Sequence, residues 1–222
     1  MSLLLLFRKK INDWYHSLKP KYSTEQVVAK HEKKVFAKFR DDFREAEIDT
    51  AAFEIALLAF KDTQKLELYI KSPKTAYHLI KTYYFTAFSG KIGPKLKNGD
   101  KQIPEGIYQM EYLNPNSRYH LSLKVSYPNV FDLEKAKSDN RTDLGGDIMI
   151  HGKKVTIGCI PVGDRNIEEI FILAAKSSNQ KFPIIISPTD FRKNSNFPDI
   201  EGIDWEKELY SGIQTELKKY NT

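Results

Sequence analysis

The pattern of hydrophobic and polar positions divides the chain into a helical beginning, an extended middle and a helical end. Apolar residues at spacings of three and four predict two N-terminal helices: the first ends at Pro20, and the second begins with Ser23 or Thr24 as its N-cap. We expect both helices to pack on the main domain as a segment over residues 1–48. A partner-binding or membrane-surface arm is the alternative. The apolar faces are formed by Leu4, Phe7, Ile11, Trp14 and Leu18, and by Val28, Val35, Phe39, Phe43 and Ala46.

The pattern of apolar and polar residues in the middle of the chain predicts β-strands. Two apolar runs over 53–60 and 65–71, separated by a polar turn, predict a β-hairpin. Further strands are predicted over 77–88, 107–113 and 118–127, with a turn over 114–117. Alternation over 118–127 places Tyr119, Leu121, Leu123, Val125 and Tyr127 on one face and His120, Ser122 and Lys124 on the other. One buried and one polar face are typical of an antiparallel sheet.

The last third predicts short strands alternating with helices. A strand is expected over 147–151 and another over 182–187, where Pro183 indicates an edge strand or an entry position. Asn166 and Glu169 have the spacing of a capping box that opens a helix running to Ala175. Apolar residues at spacing four predict a C-terminal helix, and they are Trp205, Leu209, Ile213 and Leu217. The predicted fold class is α+β, mainly β: a domain over 49–190 with helical additions over 1–48 and 191–222.

Composition and charge limit the classes of partner that the protein is expected to bind. The 222 residues carry a net charge of +6, which favours nucleic acid, anionic lipid or a carboxylate-rich polymer such as the bacterial cell wall. The basic residues lack the interleaved aromatics of a stacking platform, so we expect no nucleic-acid partner. No apolar run is long enough for a transmembrane helix, so no stable membrane insertion is expected. The apolar run at the N-terminus precedes its charges, unlike a signal peptide, so the protein is either cytosolic or present here without its export signal.

Candidate chemistry centres on Cys159 and His151. A thiol and an imidazole supply the nucleophile and base of cysteine acyl transfer, and Gly158 allows close backbone approach. A helix beginning shortly after Cys159 would favour a thiolate if its N-terminus faced the sulfur. The alternative is a small buried hydrophobe, the ordinary role of a lone cysteine. Asp147 lies roughly 13 Å along the strand from His151, so a backbone carbonyl, such as that of Gly152, is the better candidate to orient the ring.

The remaining histidines give little chemical signal. His120 stands on the polar face of its strand, where simple exposure is the alternative to a place on the floor of a groove. His16, His31 and His78 have no ligand partners at metal-binding spacing, so neither a metal site nor a cofactor is expected.

Several blocks in order resemble the YkuD-type L,D-transpeptidase family, and in particular its YafK-like murein transpeptidase and amidase branch. The family signature is a His-Gly followed by a [Ser/Thr]-His-Gly-Cys-[Ile/Val]-Arg element, matched here by His151-Gly152 and the run from Thr156 to Ile160. The resemblance covers roughly residues 53–187. The other matching blocks are Ser89 to Lys95, Gly99 to Gly106, Asn114-Pro115, Tyr119 to Leu123 and Gly145 to Asp147.

The resemblance implies a β-sandwich domain that acts on peptidoglycan stem peptides in the periplasm or cell envelope, without a cofactor. Cys159 would form a thioester, His151 would act as base and then acid, and the amides near Gly158 and Cys159 would hold the oxyanion; Gly152 completes the His-Gly element. An amine acceptor gives a cross-link or protein attachment, and water gives hydrolysis, which in this branch includes release of a murein-linked lipoprotein. The matching blocks also supply the expected substrate-binding residues, which are Lys91, Tyr119, His120, Ser122 and Thr156.

Two departures from the signature affect specificity. Ile157 stands in place of the family's second histidine, and Pro161 in place of the arginine. They leave open whether the site transfers or hydrolyses, and they motivate a further alternative, a non-catalytic wall-binding module with a decayed site. A cytosolic protein with a structural cysteine is the third alternative.

Overall fold

The computed structural model of the chain describes residues 21–220, so the first expected helix, from Leu4 to Leu18, lies outside the described residues. Helix α1 (Thr24–Lys38) begins at the predicted N-cap: Ser23 Oγ accepts a hydrogen bond from the Gln26 amide, and the Gln26 side chain accepts one from the Ser23 amide. The single long helix expected here is interrupted at Phe39, after which α2 (Arg40–Glu45) follows. Phe39 and Phe43 are nevertheless both buried, as the spacing predicts.

An eight-stranded mixed sheet forms the body of the molecule. Its order is β3-β2-β1-β8-β4-β5-β6-β7, with β1–β8 and β6–β7 parallel and the other neighbouring pairs antiparallel. The strands are β1 (Glu54–Phe60), β2 (Lys65–Lys71), β3 (His78–Tyr84), β4 (Gly106–Ser117), β5 (His120–Val125), β6 (Met149–His151), β7 (Ile160–Pro161) and β8 (Pro183–Ser187). The long strand β4 pairs with β8 over residues 106–109 and with β5 over residues 110–117, so it joins the two halves of the sheet.

Two apolar clusters stabilise this arrangement. The larger one unites inward-facing residues of both halves of the sheet with α1, α2 and α4 (Asp164–Lys176). The smaller one lies on the opposite face of β1, β2 and β8, where α5 (Glu206–Leu217) packs through Leu209, Tyr210 and Ile213. The mainly β α+β fold with helical additions at both ends is therefore confirmed.

The hairpin β4–β5 corrects the predicted turn. Residues 114–117, expected as a turn, belong to β4, and the chain reverses at Arg118 and Tyr119 instead. The register shifts between Asn114 and Ser117, so Pro115 stands at an irregularity where its missing amide costs no ladder hydrogen bond. Tyr119 consequently leaves the buried face on which alternation placed it and is 41% exposed.

One further expectation near α4 is corrected, and the two alternatives for Pro183 at β8 are resolved. The capping box of Asn166 and Glu169 does not form, because α4 begins at Asp164 after the N-cap Gly163, with no side-chain cap. Glu169 is instead buried against basic side chains, and Asn166 Nδ2 donates to the Val162 carbonyl. β8 lies between β1 and β4, so Pro183 marks its entry and not a sheet edge.

One helix was not predicted from the sequence. Helix α3 (Val130–Ser138) is opened by a capping box in which Asn129 and Asp132 bind each other's backbone amides. The signal was present in the Asn129-x-x-Asp132 spacing, but exposed Val130 and Leu133 obscure the helical periodicity.

Candidate active site

Strand register brings the two predicted catalytic residues together. Ile150 pairs with Ile160 and His151 with Pro161 across the parallel strands β6 and β7. Cys159 lies in the bend directly before β7, and continuing the strand register by one residue places it next to Met149, whose backbone contacts the thiol and which lies on the strand that carries His151. Strand spacing and rise put the two α-carbons about 8 Å apart, close enough for both side chains to contact one bound group.

The His151 ring is buried and held from two sides. Its Nδ1 lies 2.5 Å from the Gly152 carbonyl oxygen, the orienting contact predicted from the sequence, and Tyr119 stacks on the ring at 4.5 Å between centroids. A carbonyl only accepts, so Nδ1 carries the proton and Nε2 keeps its lone pair. Burial lowers the pKa of His151, with the Gly152 carbonyl acting in the opposite direction, so the ring favours its neutral, basic form.

Gly152 is glycine for a steric reason. A Cβ at this position would lie 2.6 Å from both the Tyr119 carbonyl oxygen and Asp164 Oδ1. The Tyr119 carbonyl belongs to the backbone and the Asp164 carboxylate is bound by the amide and ammonium of Lys153, so neither can move away freely. The residue that orients the base must therefore lack a side chain.

Cys159 is half-buried, and its thiol contacts the Asp147 carbonyl oxygen at 3.6 Å. Burial raises the pKa of the Cys159 thiol, while the Met149 backbone and the charges of Lys124 and Lys95 oppose that rise. The expectation of a thiolate stabilised by the following helix is thus not met in the resting protein. The shifts of both pKa values thus favour the neutral thiol of Cys159 and the neutral imidazole of His151.

The loop before the nucleophile is tied by Thr156. Its hydroxyl donates to the Cys159 carbonyl at 2.7 Å and accepts from the Gly158 amide at 3.1 Å. The Gly158 amide, expected as an oxyanion donor, is therefore engaged in the resting structure. Gly158 has φ +128°, and a Cβ there would lie 3.1 Å from the Gln102 carbonyl oxygen, so the loop over 90–105 packs directly behind it.

The other predicted substrate-binding residues are placed differently. Ser122 pairs with His151 across β5 and β6 and is buried, and its hydroxyl has no hydrogen-bond partner within residues 21–220. His120 Nε2 lies 2.8 Å from Glu168 on α4, so its ring points toward that helix. The Lys91 backbone binds the Gln102 side chain, and its own side chain is exposed. Asp147, set aside as a triad member, has a carboxylate that is 93% exposed.

Lys124 was missed as a site residue. It pairs with Met149, which lies beside Cys159, so all three side chains share one row on one face of the sheet. Alternation had already placed Lys124 with Ser122 on the polar face of β5, which was the signal available. No group of three or more possible metal ligands occurs within the described chain, and no helix between residues 21 and 220 could cross a membrane.

A separate cleft of about 260 Å³ lies between α1 and α4, lined by residues that include His31, Lys38 and Arg165. It contains neither Cys159 nor His151. Glu168 borders this cleft, and its carboxylate lies 2.8 Å from His120 Nε2 on β5.

Comparisons with known proteins identify the family of the chain. The chain is 37% identical to the Escherichia coli (strain K12) protein named "Putative L,D-transpeptidase YafK" over 114 residues, which cover 50% of this chain and 44% of that protein. Pgp2, a helical cell shape determining protein from Campylobacter jejuni, aligns with a TM-score of 0.49 and 18% identity, over 81% of this chain and 77% of that one. Bd1075 from Bdellovibrio bacteriovorus gives a TM-score of 0.43 and 21% identity, over 75% and 71% of the two chains. Residues 56–186, more than half of the sequence, match the YkuD L,D-transpeptidase catalytic domain, and the chain belongs to that family.

Proposed function

We propose that the protein is a cysteine acyltransferase that forms a thioester between Cys159 and a peptidoglycan stem peptide and passes the acyl group to an amine. The observation that supports this proposal is that His151 ends β6 and Cys159 directly precedes β7, the parallel neighbour of β6, within a YkuD domain. The stem peptide as substrate and the cell envelope as location follow from family membership together with the basic surface, which suits a carboxylate-rich polymer.

The first half-reaction begins with the neutral thiol of Cys159 and the neutral imidazole of His151. His151 Nε2 takes the thiol proton as Cys159 Sγ forms a bond to the peptide carbonyl carbon. The C–N bond then breaks, and the amine leaves with the proton returned by His151. The Gly152 carbonyl supports this proton transfer because it stabilises the imidazolium that forms transiently.

The second half-reaction decides between transfer and hydrolysis. An acceptor amine, or a water molecule, loses a proton to His151 and attacks the thioester carbon, after which the C–S bond breaks and the thiol is reprotonated. Hydrolysis at the same site, including release of a murein-linked peptide or lipoprotein, is the second candidate. It draws on Ile157, which replaces the second histidine of the family signature and is 76% exposed.

A wall-binding module without catalysis is the third candidate. It draws on Ile157 and Pro161 at two signature positions and on the raised pKa of the Cys159 thiol. Such a module would bind isolated sacculi equally well with and without the thiol.

Intact-protein mass spectrometry with a tetrapeptide-bearing muropeptide separates these functions. An acyltransferase gives an acyl-enzyme adduct on the wild type and, with an amine acceptor, a transfer product; a hydrolase gives the shortened peptide alone. Cys159→Ala should abolish every product, with a circular dichroism spectrum and melting temperature matching the wild type. Products formed at the wild-type rate by Cys159→Ala would refute both enzymatic functions.

A further inference from the structure

Three lysines are buried among the residues that the structure describes, and one of them lacks the hydrogen-bonding partners that the other two have. Lys61 Nζ binds the Gly93 and Ile103 carbonyls and Glu105 at 2.7, 2.9 and 2.8 Å. Lys95 Nζ binds Asp100 at 2.5 Å and the Lys97 carbonyl at 2.8 Å. Lys124 is equally buried, its side chain 9% exposed, yet its ammonium forms no hydrogen bond within residues 21–220.

The single charged neighbour of Lys124 is a weak one. Asp147 Oδ1 lies 4.0 Å away, and that carboxylate is 93% exposed, so water screens it. An ammonium at the end of a mostly buried side chain, without hydrogen-bonding partners in the described chain, is a favourable site for an anion or a polar ligand. Lys124 is therefore a cation prepared for a partner that the protein itself does not supply.

The position of Lys124 indicates what that partner is. Lys124, Met149 and Cys159 occupy one row across β5, β6 and β7, which puts the α-carbons of Lys124 and Cys159 about 10 Å apart. A lysine side chain spans much of that distance, so its ammonium comes within a few ångströms of a group bound at the sulfur. In a peptide, the carboxylate of the residue after the scissile bond lies within about 4 Å of the attacked carbonyl carbon.

We propose that Lys124 binds a free carboxylate of the acyl donor beside the carbonyl that Cys159 attacks. The inference rests on the proposed acyl-transfer function and adds its specificity-determining residue. Asp147 Oδ1, 4.0 Å from the same ammonium, competes with the donor carboxylate for it.

Alkylation of the full chain tests this without any assumption about the natural substrate. Cys159 is the only cysteine, so the mass of the intact protein reports on it alone. Iodoacetate and iodoacetamide react identically: a C–S bond forms as the C–I bond breaks and iodide leaves with the electron pair. They differ in carrying a carboxylate or a neutral amide, so the ratio of their rate constants measures attraction for a carboxylate at the sulfur.

We expect Lys124→Met to lower the iodoacetate-to-iodoacetamide ratio about tenfold, the scale of one charge interaction in a partly screened site, and Lys124→Arg to retain it. Lys154→Met removes an exposed lysine five residues before Cys159 and serves as the matched control, with the wild-type ratio expected. A change shared equally by both reagents in Lys124→Met would mean that Lys124 acts only on the thiol, and would overturn the proposal.

The Asp147→Asn variant provides an independent test of the proposal if the Lys124→Met protein does not fold. Asn tolerates the positive φ of 55° at this position, and loss of the competing carboxylate should raise the ratio about twofold. An unchanged ratio in Asp147→Asn would count against the proposal.

Donor peptides ending in a free carboxylate or an amide complete the test. Lys124→Met should raise KM about tenfold for the acid and leave KM for the amide unchanged. If the wild type prefers iodoacetate through Lys124 but makes no peptide product, the carboxylate subsite is supported and the proposed acyl-transfer function is refuted. If the wild type turns over acid and amide donors with equal KM, the acyl-transfer function is supported and the carboxylate subsite is refuted.

Discussion

At the scale of single residues, Gly152 has the most sharply defined requirement. Gly152→Ala would bring a Cβ to 2.6 Å from the Tyr119 carbonyl, so the backbone must shift and carry the carbonyl that orients His151 with it. We expect kcat to fall at least about tenfold, since a small misplacement of a catalytic group costs that much or more. The measurement is steady-state kinetics on a muropeptide donor, with melting temperature recorded in parallel.

Gly146→Ala is the matched control for this substitution. A Cβ at Gly146 meets no atom within 4 Å, so kcat and melting temperature should stay at wild-type values. Equal kcat in the Gly152→Ala and Gly146→Ala proteins would show that the His-Gly contact does not orient the base.

The pKa shifts of the pair set the pH dependence of the reaction. Burial lowers the pKa of His151, so the base is already deprotonated at neutral pH, and the acid limb of kcat/KM should lie below pH 6.5. The same shift makes neutral His151 the form that the fold favours; its contribution to stability is present above about pH 6.5 and is lost as pH falls through the lower folded pKa. Measurement of kcat/KM between pH 4.5 and 8.5 tests the position of the acid limb, and an NMR titration of the His151 ring tests the lowered pKa. A half-maximal rate above pH 6.5 would contradict the neutral-pair mechanism.

At the scale of elements, α1 is joined to α4 through one buried carboxylate. Glu169 on α4 accepts from Lys38 on α1, and from Lys81 at 2.6 Å and Tyr83 at 3.2 Å on β3. Glu169→Gln would leave two ammonium groups near each other without their counter-charge. We expect this change to lower the free energy of unfolding by about 2 kcal/mol, measured by urea denaturation.

A second ion pair in the same interface provides the control. Glu32 on α1 binds Lys176 on α4 at 3.0 Å, but both side chains are about 40% exposed. Glu32→Gln should therefore change stability by less than about 1 kcal/mol. Similar losses in both variants would mean that burial of Glu169 does not govern the joint between the helices.

The elements also show where sequence patterns were sufficient. The β1–β2 hairpin, the polar face of β5 and the C-terminal helix were predicted because each rests on local periodicity. The turn at 114–117 was wrong because Asn, Pro and Ser favour turns locally, whereas pairing of Asn114 with Ser122 overrides that preference. The role of Glu169 was wrong for a similar reason: its helical spacing suggested a cap, and only the tertiary structure brings Lys38 and Lys81 to it.

At the scale of the whole molecule, the limits of prediction lie in non-local pairing. β1 pairs with β8 in parallel although more than a hundred residues separate them, and no sequence pattern specifies that partner. The motif identified Cys159 and His151 because the signature residues are local. Lys124 lies two strands away from Cys159 in the row that contains it, so it became visible as a neighbour only when the register was known.

The buried pair of Lys61 and Glu105 connects the parts of the molecule that position the site. Glu105 accepts from Lys61 at 2.8 Å, from the Gly93 amide at 2.7 Å and from Tyr210 of α5 at 2.8 Å, and both charged side chains are fully buried. Through these contacts the residues that follow β1, the loop over 90–105 and the C-terminal helix meet at one carboxylate. That loop in turn packs behind Gly158 through Gln102.

Glu105→Gln should therefore weaken both the fold and the site. An uncompensated buried ammonium costs about 3 kcal/mol, and a loosened loop should lower kcat because the Gly158 backbone loses its support. Glu54→Gln is the control, since Glu54 binds Lys71 at 3.1 Å with both side chains partly exposed, and a change below about 1 kcal/mol with unaltered kcat is expected. Urea denaturation and muropeptide kinetics on the three proteins decide the matter. If Glu105→Gln loses stability but keeps wild-type kcat, the buried pair supports the fold alone, and the loop over 90–105 does not hold the nucleophile in place.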